Sequence, residues 1–197
     1  MARPTRHRAE MEILDLAAGL FARHGFAHTS LKDLADAVGL SKAGLLHHYP
    51  SKDALFEAAQ EACQAQGRRV LDQVAELPPG PARDRRALEL LTDVALDLPG
   101  LVSLAFGAVT SPEEPVIAIE DVMVFEVFAV APDGSDVERA IRVVGALAAL
   151  AVLSVTANRA GEKTAWRPHI ITTCLDALGH RRPDATSPDP DPALAKD

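Results

Sequence analysis

Residues 30–49 read SLKDLADAVGLSKAGLLHHY, two short amphipathic segments on either side of Gly39. Ser30 followed by Asp33 has the form of an S-x-x-D capping box, and Leu31, Leu34, Ala35 and Val38 give the first segment one apolar face. Ser41 suits the N-cap of the second segment, and Pro50 ends it. A helix over about 30–37, a sharp glycine turn and a helix over 41–49 make a helix-turn-helix, in which the second helix is the one placed in the major groove of DNA.

The wheel of that second helix separates its side chains. Leu45 and Tyr49 lie one turn apart and mark the inward side. At 100° per residue His47 points about 180° away from its middle, Ala43 about 140° and Gly44 about 120°. His48 and Leu46 fall on opposite flanks, and Ser41 and Lys42 project from the end that enters the groove first. Ala43 and Gly44 leave the outward face nearly bare, which permits close approach to base edges. Adjacent helical residues point about 100° apart, so His47 and His48 cannot share a metal ion without ligands from elsewhere. The plainer alternative for the pair is a solubilising, exposed surface.

The rest of the chain is also written in helical periods. Ile13, Leu14, Ala17, Leu20 and Phe21 predict a helix over 10–24, closed by Gly25 as a left-handed cap. Ser51 caps a long helix from about 52 to 77, stopped by Pro78-Pro79-Gly80. Five more are expected over 82–97, 101–110, 113–130, 134–160 and 163–179. The fold class is therefore all-α, about nine helices: a three-helix helix-turn-helix head over 1–52 with a flexible basic arm over residues 1–8, a helical ligand-binding and dimerisation body over 53–182, and a tail over 183–197. That tail, rich in proline and aspartate with little to bury, is expected to be disordered.

Charge divides the chain the same way. The net charge is −8, yet residues 1–55 hold seven Lys and Arg, six Asp and Glu and five of the seven histidines. An acidic body with a near-neutral, histidine-rich head points to the head as the part that approaches a polyanion. The two cysteines, Cys63 and Cys174, lack metal-ligand spacing and are too few for a disulfide framework, so no metal or other cofactor is expected. Cys63 reads as a small hydrophobe on an inner face, with a thiol sensor as the alternative. The N-terminus has no apolar core of a secretory signal. The apolar stretch over residues 143–157 falls short of the roughly 20 residues that cross a bilayer. A cytoplasmic protein with no membrane partner is expected.

From Ile13 to Leu55 the run ILDLAAGLFARHGFAHTSLKDLADAVGLSKAGLLHHYPSKDAL resembles the TetR-type transcriptional regulators. The shared pattern is an opening helix ending in F-x-x-x-G, then T-S-hydrophobic, A-x-G-V/L-S, an H-Y pair and S-K-x-x-L. The resemblance implies that Ser30, Lys32, Ser41, Lys42, Ala43, Gly44, Leu46, His47, His48 and Lys52 face DNA. Lys52, at a helix N-terminus, would help form an anion site. Arg3, Arg6 and Arg8 suit an adjacent minor groove. Leu46 stands where the family usually has tyrosine, and Gly44 where it often has threonine or alanine, so a phosphate contact made by relatives is in doubt at Leu46.

One recognition helix reads few base pairs, and such proteins dimerise on half-sites about 34–36 Å apart. The expected partner is double-stranded DNA bearing a palindromic operator, bound by a homodimer. Residues 138–157 carry more apolar side chains than a solvated face allows, which implies an interface containing Val144, Ala148, Ala151 and Val152, joined by Ile171 and Leu175 from the next helix. A small apolar or amphipathic effector is expected in the body among Phe106, Phe125, Phe128 and Trp166. No Ser/His/Asp or Cys/His arrangement and no phosphate loop is present in the body, so an enzyme is not expected. A repressor released by its effector is the reading adopted; an activator, or a regulator without a ligand, has the same sequence signature.

Overall fold

The computed structural model describes residues 3–110, 123–131 and 133–180, with the side chains of residues 3–6 and 108–110 left aside. Among them the chain is helical throughout: α1 (Arg3–His24), α2 (Leu31–Ala37), α3 (Lys42–His48), α4 (Lys52–Val74), α5 (Pro81–Asp97), α6 (Pro99–Thr110), α7 (Met123–Val127), α8 (Val137–Ala160) and α9 (Lys163–Ala177). The tail and the first part of the helix expected over 113–130 lie outside the described residues. The end of that helix is earlier than expected. It stops at Val127, and Ala129 takes a left-handed φ of 51°. The expected flexible arm is also corrected, because the backbone from Arg3 onward continues α1.

Caps set the boundaries in the head. Ser30 and Asp33 form the full capping box, with the Asp33 N–H donating to Ser30 Oγ at 3.1 Å and the Ser30 N–H to Asp33 Oδ2 at 3.3 Å. Ser41 Oγ accepts from the Gly44 N–H and Ser51 Oγ from the Ala54 N–H, both at 3.0 Å. Gly25 and Gly39 sit at φ 76° and 70°, the left-handed region that the two turns require.

Two cores result. The head core joins Leu14, Ala17, Ala18 and Phe21 of α1 to Leu34, Ala35, Leu45 and Tyr49, and it runs on into Leu55 and Ala59 of α4 and Leu101 of α6. A division at residue 52 therefore cuts through a continuous apolar cluster. The body core gathers α4, α5, α7, α8 and α9 around Phe128, Leu88, Val143 and Ile170. α8 is long and apolar enough to cross a membrane by length and composition, yet one side of it contributes Val143, Ala146, Leu150 and Ala157 to this core.

A charged knot that the sequence does not announce holds the body together. Asp84 is fully buried and accepts from Arg139 Nη2 and His180 Nε2, each at 2.6 Å, tying α5 to the start of α8 and to the chain beyond α9. Its neighbour Arg83, also buried, donates to the carbonyls of Val74 at the end of α4 and Leu77 just beyond it, and of Glu126 and Val127 at the end of α7. Helix C-termini leave carbonyls without intrahelical partners, and one guanidinium satisfies two such ends.

Head and body meet along α1 and α6. Asp15 Oδ1 accepts from the Leu101 N–H at 2.9 Å, in the first turn of α6. Gly100 lies so close to α1 that a Cβ there would fall 1.9 Å from the Asp15 carbonyl oxygen. Burial pushes the Asp15 carboxyl above its ordinary pKa, against the opposing pull of the backbone N–H groups of Leu101 and Gly100 and the charge of Lys163.

Candidate nucleic-acid interface

The recognition surface follows from which face of α3 the core takes. Leu45 is fully buried and Tyr49 nearly so, which turns Lys42, Ala43, His47 and His48 to solvent. Gly44 and Leu46 are half-buried on the flanks. The wheel's outward placement holds for Ala43 and His47, whereas Gly44 is half-buried and His48 stands exposed beside His47, their rings meeting edge to face at 5.8 Å between centroids. Among the described residues, no group of three His, Cys, Asp or Glu side chains is placed to hold a metal ion.

Hydroxyl chemistry divides the two capping serines. Ser30 Oγ accepts from the Asp33 N–H and donates to Asp33 Oδ2 at 2.6 Å, so its hydrogen is already used. These bonds from Ser30 hold the Asp33 carboxyl below its ordinary range. Ser41 Oγ accepts from Gly44, and no acceptor among the described residues takes its hydrogen. Ser41 thus keeps an unused donor at the tip of α3, beside the charge of the exposed Lys42.

Lys52 departs from expectation. Its ammonium donates to the carbonyls of Phe26 at 2.8 Å and Thr29 at 3.1 Å and stands 4.2 Å from the centre of the Phe26 ring. Phe26 packs with Phe21 and Phe56 at centroid separations of 5.8 and 5.1 Å. The lysine is thus turned toward the α1–α2 loop, where it fixes the approach to Ser30 and leaves one N–H uncommitted. Lys32 is exposed on α2 beside the recognition helix. Arg3 and Arg6 lie on the helical backbone of α1 rather than on a loose arm.

The model of the bacterial regulatory proteins of the tetR family matches residues 13–59, the stretch that builds this surface. The helix-turn-helix head is of the TetR type. Over 110 residues it is 29% identical to the HTH-type transcriptional repressor KstR2 of Mycolicibacterium smegmatis, a match covering 56% of this chain and 47% of that protein. With KstR2 of Rhodococcus jostii it shares 44% of 46 residues, covering 23% of this chain and 22% of the other. The matched stretches thus span less than half the length of these curated relatives. Solved structures match over nearly the whole chain. A TetR-like regulator from a Rhodococcus species covers 88% of this chain and 97% of its own at TM-score 0.51 and 19% identity. PfmR, a TetR family regulator from Thermus thermophilus, covers 86% and 98% at TM-score 0.51 and 24% identity. At such identities these matches establish the fold: a TetR-type head on an all-helical body.

The body residues singled out from the sequence are not brought together. Phe125 and Phe128 are buried in the body core, and Trp166 packs half-buried against it. Phe106 lies elsewhere, on the wall of an open groove between α1, α6 and α8. A shared aromatic pocket is therefore not formed. The interface reading is also partly corrected. Ala151, Ile171 and Leu175 are buried within the chain, the last two in the body core, where α9 packs on α8 and α5. Val144 and Val152 are open to solvent and Ala148 is half-open.

Proposed function

We propose that this chain is a sequence-specific DNA-binding transcriptional repressor that acts as a homodimer on a palindromic operator and is released by a small-molecule effector. The observation that carries the reading is the outward face of α3, where Lys42, Ala43 and His47 are exposed on a helix whose start is capped by Ser41 and whose opposite face is locked by Leu45. Its lack of bulk permits base contact, and the lysine and serine at its tip suit phosphate. The KstR2 relatives, described as repressors, support that direction of control.

Dimerisation is supported by a stripe on α8. Val137, Ile141 and Val144 are 60%, 66% and 43% exposed and recur at helical spacing on one face. Three large apolar side chains left open on one face of one helix call for a partner surface. A second copy presenting the same stripe across a two-fold axis meets that need and sets two heads on two half-sites.

Release by an effector requires only that it prefer the arrangement unable to bind DNA. A hundredfold preference is about 2.7 kcal/mol, enough to empty an operator. The test is fluorescence anisotropy with the DNA upstream of the chain's own gene. Lys42→Ala with His47→Ala should weaken specific binding at least tenfold, and Ile141→Glu should yield monomers in sedimentation that bind poorly. Unchanged affinity in the first variant would overturn the assignment of the head.

A further inference from the structure

We infer that the groove between α1, α6 and α8 binds an amphipathic anion, an apolar chain ending in a carboxylate, and that this is the effector site. The inference rests on the regulator reading above and gives it a location and a ligand chemistry. The groove has a volume of about 740 Å³, within the range of about 300–1,000 Å³ typical of small-molecule sites. Of the five large apolar side chains that the described residues leave exposed, two stand on its walls: Leu16 of α1, 42% exposed, and Val152 of α8, 58% exposed. Phe106 and Val155 extend the same lining. An apolar concavity of this size loses free energy to water until something apolar covers it.

Charge selects what covers it. Arg23, in the last turn of α1, and Arg159, in the last turn of α8, both line the groove and are exposed, and neither has an ion-pair partner among the described residues. The acid in the lining, Asp15, has turned a carboxylate oxygen to the Leu101 N–H. Two free guanidinium groups against one committed carboxylate leave the groove positive. Guanidinium forks pair with carboxylates through two parallel N–H bonds, which a hydroxyl or an ammonium headgroup cannot reproduce.

Position supplies the link to DNA. Arg23 and Leu16 belong to the helix that carries the head core, whereas Val152 and Arg159 belong to the body. A ligand held by both fixes the orientation of one against the other. It releases DNA if that orientation spoils the half-site spacing.

The test is calorimetric titration of the full chain with decanoate, decanol and decyltrimethylammonium, beside anisotropy on the upstream DNA. Decanoate should bind, the alcohol at least tenfold more weakly and the cation not at all. The double variant Arg23→Gln, Arg159→Gln, both at exposed positions, should bind decanoate at least tenfold more weakly while keeping its circular dichroism and its affinity for DNA. In the wild type decanoate should lower DNA affinity, and in the double variant it should not. Equal binding of acid and alcohol, or an unaffected double variant, would overturn the site. So would decanoate binding that vanishes as the chain dimerises, because the groove would then belong to the second copy. Failure of the wild type to bind any DNA would sink the regulator reading and leave the calorimetric result standing.

Discussion

The Lys52 ammonium donates to the Phe26 carbonyl at 2.8 Å, so a lysine at the start of α4 holds the loop that delivers the chain to α2. The same group also reaches the Thr29 carbonyl, and Thr29 closes the loop from within by donating to the Gly25 carbonyl at 2.7 Å. Lys52→Met should cost the head about 1–3 kcal/mol, the usual penalty for stripping a partner from half-buried polar groups. Amide exchange around Thr29 should rise. The salt dependence of DNA binding should change little, whereas Lys42→Ala should reduce its slope by about one. A Lys52→Met variant with normal stability and a slope reduced by one would return Lys52 to phosphate contact.

Asp84 should be the most sensitive position in the body. Asp84→Ala leaves Arg139 and His180 without their shared carboxylate at a fully buried site. Removing one partner of a buried charged pair costs on the order of 3–5 kcal/mol. Thermal unfolding should fall by roughly 10 °C for a chain of this size. A shift of a degree or two would mean that water or a neighbour replaces the lost charge.

Thr92 and Ser154 make the opposite case. Both side chains are fully buried, and their hydroxyl oxygens have no hydrogen-bond partner. Thr92→Val and Ser154→Ala each remove an unsatisfied group with little change of shape, and each should raise stability by about 1 kcal/mol in denaturant titration. Loss of stability would reveal a bridging water.

Asp15 predicts a pH dependence with a definite sign. Its folded pKa is raised, chiefly by burial, so the folded state holds this proton more tightly than the unfolded chain. The stability it adds is fully present below the ordinary value of 3.8 and is lost as pH rises through the raised folded value. Asp15→Asn keeps an oxygen for the Leu101 N–H but cannot ionise. The stability of the wild type relative to this variant should therefore fall as pH climbs through that window. Parallel curves would show that Asp15 titrates as it does in the unfolded chain.

Neither thiol should behave as a sensor. Burial pushes Cys174 up to about 12, and its Sγ donates to the Ala146 carbonyl at 3.3 Å. Cys63 is also raised by burial and leans on the Leu101 carbonyl at 3.8 Å. The thiolate is the reactive form, so at pH 8 an aromatic disulfide reagent should label Cys174 only after unfolding and Cys63 slowly. Rapid labelling of Cys63 in the native chain would reopen its role as a redox switch.

Local chemistry made the head legible. Ser30 with Asp33, Ser41, Ser51, Gly25 and Gly39 each act within a few residues, and the structure uses every one of them at the place their chemistry requires. Long-range choices were not legible. The run RDRR over residues 83–86 looks like a solvated face, yet Arg83 and Asp84 are buried because carbonyls and cations distant in sequence converge on them. Apolar spacing on α9 showed that Ile171 and Leu175 must be covered. It did not show by what, and the cover turned out to be the chain itself. The same limit left Phe106 apart from Phe125, Phe128 and Trp166: aromatic residues in one body do not show from sequence that they share one interior.

Gly100 carries a consequence of another kind. At the α1–α6 seam, main chain rests on main chain, and the first atom of any side chain would land on the Asp15 carbonyl. Every missense change at this codon therefore pries the seam apart, so the setting of the head cannot be retuned there in small steps. Change is tolerated along the groove walls instead, at exposed positions such as Leu16 and Val152, where substitutions leave the seam intact. Under the proposal of an effector groove, drift is thereby steered toward the choice of ligand and away from the joint between groove and head.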